Sequence, residues 1–181
     1  VAGEDGIAAY GAIMYVSFIF CAIFIGYSVG IAPVIGYHFG AGNSSELKNL
    51  LKNSLILIGI GGFLMTALSF ALSAPISKIF VGYDQALYQL TVRGFQIYAF
   101  SFLLCGINIF GSAFFTALNN GLLSAVISFL RTLLFQLVCV LILPVFLGVD
   151  GIWLAITAAE LAALVVTVSL LVANRKKYRY G

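Results

Sequence analysis

The stretch GLLSAVISFLRTLLFQLVCVLILPVFLGVDGIWLAITAAELAALVVTVSLLVANRKK, residues 121–177, decides how this chain folds. It holds two apolar runs, 122–147 and 152–173, parted by Gly148-Val149-Asp150-Gly151 and closed by Arg175, Lys176 and Lys177. Each run exceeds the roughly 20 residues that cross the hydrocarbon core of a bilayer. Each carries one charged residue, Arg131 in the first and Glu160 in the second. Hydrocarbon offers no water to unpaired backbone groups, so runs of this length must be helices. Their continuous apolar character, without alternation, argues against the strands of a membrane barrel.

The rest of the chain repeats the pattern. Three further apolar runs, 7–39, 50–72 and 87–118, bring the expected total to about five transmembrane helices. Hydrophobic residues make up 62% of the 181 residues and charged residues only 8%. Soluble domains carry about 25% charge, so lipid is the natural solvent for this surface. The fold class expected is all-α, a polytopic membrane helix bundle.

Turn residues punctuate the runs. Gly40-Ala41-Gly42-Asn43-Ser44-Ser45 reads as a turn, with Ser45-Glu46 suited to a helix start. Pro75 and Gly82 bracket a short stretch, 76–80, suited to the membrane interface, and Asn119-Asn120-Gly121 is a tight turn. Loops this short leave no room for an extramembrane domain. The first run corresponds to roughly 50 Å of helix, longer than the core, so it must tilt, bend or protrude. Pro33 marks the expected kink, because proline removes one backbone hydrogen bond and crowds the preceding turn. Gly26-x-x-x-Gly30 and Gly36-x-x-x-Gly40 suit close helix contact but are common spacings in membrane helices. The chain begins at Val1 with a loop-like Gly3-Glu4-Asp5-Gly6 and no leader pattern, which reads as part of a longer protein.

Several function classes drop out. The net charge of +3 is small and its basic residues form no stripe, so nucleic acid is not an expected partner. Cys21, Cys105 and Cys139 lie singly inside apolar runs, and His38 has no His or Cys beside it in sequence, so neither a metal site nor a cofactor is expected. His38 reads as an interfacial polar residue. No P-loop, GxSxG, HExxH or dinucleotide fingerprint is present, and an enzyme is not expected. The tail 174–181, with Arg175, Lys176, Lys177 and Arg179, belongs on the cytoplasmic side of a cell membrane. By alternation the loop holding Lys48 and Lys52 and the Asn119-Asn120 turn share that side, and Lys78, Asp84, Arg93 and Asp150 lie toward the outer one. Tyr178 and Tyr180 fit an interfacial aromatic belt.

Polarity inside the apolar runs is the remaining signal. Arg131 lies about ten residues from the cytoplasmic end of its helix and Glu160 about nine from the outer end of the next. Both therefore sit roughly 13–15 Å deep. Antiparallel neighbours at matched depth can form an ion pair, and a charge at mid-membrane needs such a partner. The pair either holds two helices in register or serves as a site that couples ions through Glu160. In the third run Tyr98, Ser101, Cys105, Asn108, Ser112 and Thr116 recur at spacings of three or four and share one helix face. The fourth run adds Ser124, Ser128, Thr132 and Gln136, and the fifth Trp153, Thr157 and Thr167. Small polar faces also serve plain helix packing; the sharper reading is a polar cavity lined by Tyr98, Asn108 and Gln136.

Gly30-Ile31-Ala32-Pro33-Val34-Ile35-Gly36-Tyr37-His38-Phe39-Gly40-Ala41-Gly42-Asn43, Ile79-Phe80 with Asp84, Ala117-Leu118-Asn119-Asn120-Gly121, and Arg131 followed by Pro144 and Gly148-Val149-Asp150-Gly151-Ile152-Trp153-Leu154-Ala155 occur in that order. Together they resemble the C-terminal lobe of the MATE (multidrug and toxic-compound extrusion) transporters, bacterial multidrug export branch. The resemblance spans nearly the whole chain. It implies helices eight to twelve of a twelve-helix, two-lobe transporter, without the N-terminal lobe and seventh helix. It further implies a secondary antiporter that exports amphipathic or cationic drugs in exchange for Na⁺ or H⁺. Some members place a cation-binding acid in the tenth helix; run 87–118 has none, with Asn108 as its mid-depth polar group. Coupling would then rest on Glu160, on an acid of the other lobe, or on both. The rivals are a lipid-linked saccharide flippase or polysaccharide exporter of the same superfamily, and a structural membrane subunit that transports nothing.

Overall fold

The computed structural model describes residues 3–180. Val1, where the sequence suggested a longer protein, and Gly181, the end of the expected tail, lie outside the described residues. Every regular element among the described residues is helical: α1 Gly3–Gly40, α2 Ser44–Val81, α3 Gln85–Ala99, α4 Phe102–Ala117, α5 Gly121–Phe129, a π-helical segment Leu130–Phe135, α6 Gln136–Leu147 and α7 Val149–Asn174. α1, α2, Gly121–Leu147 and α7 are each long and apolar enough to cross a membrane, and α3 with α4, bent by 47° at their break, brings the number to five if the pair is one span.

α1 and α2, at 38 residues each, are longer than expected. Gly3 to Gly6 form the first turn of α1 rather than a loop, and Glu4 and Asp5 there complement the positive end of the helix dipole. α1 continues unbroken through Pro33, the expected kink. α2 likewise runs through Pro75 to Val81, so the separate interfacial stretch 76–80 is the last turns of a helix. A single lost backbone bond does not end a helix that hydrocarbon and neighbours hold together. Asn43, not Ser45, caps α2, its side chain accepting from the Glu46 amide at 3.2 Å. Asp84 caps α3, accepting from the amides of Ala86 and Leu87 at 2.8 and 3.0 Å. The four-residue loop expected before the last helix shrinks to Gly148, whose φ of 59° and ψ of −134° suit glycine alone and turn the chain straight into α7. Asp150 therefore lies in the first turn of α7, where it pairs with Arg93 of α3, Nε to Oδ1 2.9 Å.

The largest departure is in the third run. The sequence predicts one helix over 87–118; the chain instead breaks at Phe100 and Ser101. Thr66 of α2 helps the break to be tolerated, since its hydroxyl is shared between the Gly62 carbonyl at 2.9 Å and the Ala99 carbonyl at 3.1 Å. Gly62, one turn earlier, admits the backbone of Phe102 and Leu103, which no side chain there would allow. α4 packs against α1, α2, α5 and α7 and is the hub of the bundle. Its Phe110, Phe114 and Phe115 are fully buried, with Phe95 of α3 and Trp153 of α7. Gly26 and Gly30 of α1 meet open space rather than a close neighbour, and Gly36 meets the Ala117 carbonyl.

Candidate functional site

Arg131 lies in the π-helical segment, none of whose residues is buried. A π turn widens the helix by one residue and often marks a functional position. From there its guanidinium reaches Glu160 on α7. Nε donates to Oε1 at 2.8 Å and to Oε2 at 3.0 Å, and Nη2 lies 2.8 Å from Oε1 as an ion-pair contact. Asn108 of α4 completes the group: its Nδ2 donates to Glu160 Oε2 at 2.8 Å and to the Glu160 carbonyl at 3.0 Å. The Glu160 side chain is 3% exposed and that of Arg131 16%. Three spans thus meet at one carboxylate.

A buried pair of this kind is a balance. Withdrawing both charges from water is expensive, and the attraction repays it only when remaining lone pairs and N–H groups are satisfied. Here the carboxylate is well supplied with donors while the guanidinium keeps one edge in the cavity. Removal of either charge leaves the other without its partner in a low-dielectric interior.

Arg131 lines two cavities. The one of about 290 Å³ is also lined by Ser17, Cys21, Tyr98, Cys105, Gln136 and Glu160. Tyr98 closes one side, its hydroxyl 2.9 Å from that of Ser17. The other, about 230 Å³, is lined by Ser28, Asn108, Ser112 and Ser128 with Arg131. The Ser28 hydroxyl and the Asn108 carbonyl oxygen are shielded there without a hydrogen-bond partner. Ser112 lies 2.8 Å from the hydroxyls of both Ser124 and Ser128. Among the described residues no three His, Cys, Asp or Glu side chains converge as a metal ion would require.

The residues singled out in the sequence therefore gather as follows. Arg131 and Asn108 both contact Glu160, and Tyr98 and Gln136 line the larger cavity with the ion pair. Pro33 lies elsewhere on α1. The polar stripe of the third run divides its contacts: Tyr98 to α1, Asn108 to α7, Ser112 and Thr116 to α5. Thr132 bonds back to its own helix at the Ser128 carbonyl, and Trp153 stacks on Tyr10 with ring centres 6.2 Å apart. The sequence did not reveal Asn108 as a partner of Glu160, although it lies at mid-depth in its run. It carried no signal for the π segment. Cys21 and Cys105, solitary in sequence, lie side by side on the larger cavity.

Comparison with known proteins bears on this arrangement. The MatE family model matches residues 1–142. A multidrug resistance MATE family transporter of the MOP superfamily, in its outward-facing conformation, superposes with a TM-score of 0.91 at 16% identity, over 99% of this chain and 40% of that one. A MOP superfamily transporter from Pyrococcus furiosus gives 0.90 at 17% identity, over 99% and 40%. The Vibrio cholerae MATE transporter VcmN in its bent form gives 0.84 at 19% identity, over 97% and 41%. At these identities the likeness is one of fold, and the chain spans well under half the length of those transporters. No curated protein matches the chain.

Proposed function

Because this chain belongs to the MatE family, whose membership makes a transporter rather than an enzyme the premise, we propose that it forms the C-terminal lobe of a cation-coupled antiporter exporting drugs or organic cations. The observation that carries this reading is the Arg131–Glu160–Asn108 group, its carboxylate buried, set on the walls of two cavities.

Exchange needs a membrane element with two arrangements and an ion that prefers one of them. The Arg131–Glu160 pair is such an element. Paired, it ties the span around Arg131 to α7. When a proton or Na⁺ neutralises Glu160, the bond to Arg131 weakens and the guanidinium turns to the cavity. Tyr98 offers an aromatic face and Gln136 an amide to an amphipathic or cationic drug. The N-terminal lobe of the whole transporter would supply the facing wall, in a cell membrane with the basic tail on the cytoplasmic side.

Glu160→Gln in the full-length transporter tests this. Drug efflux per transporter molecule should fall about tenfold or more, beyond any loss of protein from the membrane caused by leaving Arg131 unpaired. Lower abundance with normal efflux per molecule would instead make the pair a structural tie and overturn the coupling role.

A further inference from the structure

The tail that follows α7 does not trail away. Asn120, at the α4–α5 turn, donates to the Tyr178 hydroxyl at 2.6 Å, and Tyr178 packs on Phe39 of α1 with ring centres 5.7 Å apart. The Tyr180 hydroxyl donates to the Leu171 carbonyl at 2.8 Å, and its ring meets Phe114 edge-on at 5.2 Å. Burial, with Tyr178 beside it, pushes the Tyr180 hydroxyl up to about 12, so it remains a donor at any physiological pH. Two aromatic anchors therefore fix the segment between and around them.

That fixed segment carries Lys177 and Arg179 over the α1–α2 turn. Between them lies a cavity of about 310 Å³, lined by Lys177, Arg179, His38, Asn43 and Ser44 among others. No acidic side chain lines it. The nearest acid in sequence, Glu46, turns to Asn49. His38 contributes an imidazole nitrogen, Nδ1, that is shielded from solvent and has no hydrogen-bond partner. Ser44 opens α2, a helix of 38 residues, whose positive end adds to the two cations. Arg179 adopts a left-handed backbone, φ 58°, within this fold-back.

We propose that this cavity binds a phosphate-bearing anion, the headgroup of an anionic phospholipid, through Lys177 and Arg179. A headgroup is favoured over free phosphate because Phe39 and Leu47 line the same space as the cations and offer an apolar contact beside them. The tail would then be clamped to α1 and α2 by a lipid as well as by its two tyrosines.

The test uses the full-length transporter in nanodiscs of phosphatidylcholine with or without phosphatidylglycerol, reading co-purified lipid by native mass spectrometry. Each cation near an anionic headgroup contributes about fivefold, so Lys177→Gln with Arg179→Gln should lower phosphatidylglycerol retention by roughly ten- to thirty-fold. Arg175→Gln with Lys176→Gln removes equal charge from the same tail but not from the cavity, and should retain the lipid. Equal loss in both double variants would overturn the proposal in favour of diffuse attraction. Equal retention of the two lipids by the unaltered protein would overturn it as well. Inorganic phosphate added as competitor separates the two sources: no displacement supports a headgroup, and displacement at millimolar concentration overturns it in favour of a soluble anion.

Discussion

A guanidinium at 16% exposure and a carboxylate at 3% stabilise each other only while both are charged. Arg131→Ala should therefore destabilise the transporter by about 3–5 kcal/mol, because it leaves Glu160 buried and unpaired. The double change Arg131→Leu with Glu160→Leu should recover most of that loss, since an apolar pair is often neutral or better. Thermal unfolding in detergent measures both, and a double variant as unstable as the single one would contradict the account. On the proposed function, drug efflux should stay low in the double variant. Depth counting along two helices was enough to bring Arg131 and Glu160 to one level. It did not assign Asn108 to the same carboxylate, because the bend before α4 re-aims a stripe whose spacing assumes a straight helix.

At the scale of elements the bend is the feature to perturb. Phe100 and Ser101 contain no glycine or proline, so nothing local announces the break. It rests instead on α2, where the Thr66 hydroxyl satisfies the Ala99 carbonyl. Thr66→Val should cost about 1–3 kcal/mol by stranding that carbonyl, and Thr66→Ser should restore most of it. Gly62→Ala places a Cβ 2.9 Å from the Phe102 carbonyl oxygen. The clash is with backbone that cannot yield, so a loss of about 1–3 kcal/mol is expected. Melting temperature in detergent checks each, and an unaffected Gly62→Ala protein would mean that α2 and α4 are less closely packed than the structure has them.

Across the whole molecule the apolar surface is outside as well as inside. Val145 is 78% exposed and Phe146 81%, while Phe110, Phe114 and Phe115 are fully buried. A carbene reagent dissolved in the bilayer should label Val145 and Phe146 strongly and the three core phenylalanines scarcely at all; the reverse pattern, read by peptide mass spectrometry, would refute the packing. Length and hydropathy alone determined that four to five helical spans exist, because water-free surroundings leave an apolar run of this length no other way to satisfy its backbone. The same counting put one cation and one anion at equal depth. Tertiary structure decided where the third span breaks, how the π turn presents Arg131, and that Asn108 and the folded-back tail find their partners. Those outcomes depend on atoms of other elements, Thr66, Glu160 and Asn120 among them, and no local pattern encodes a neighbour that is distant in sequence.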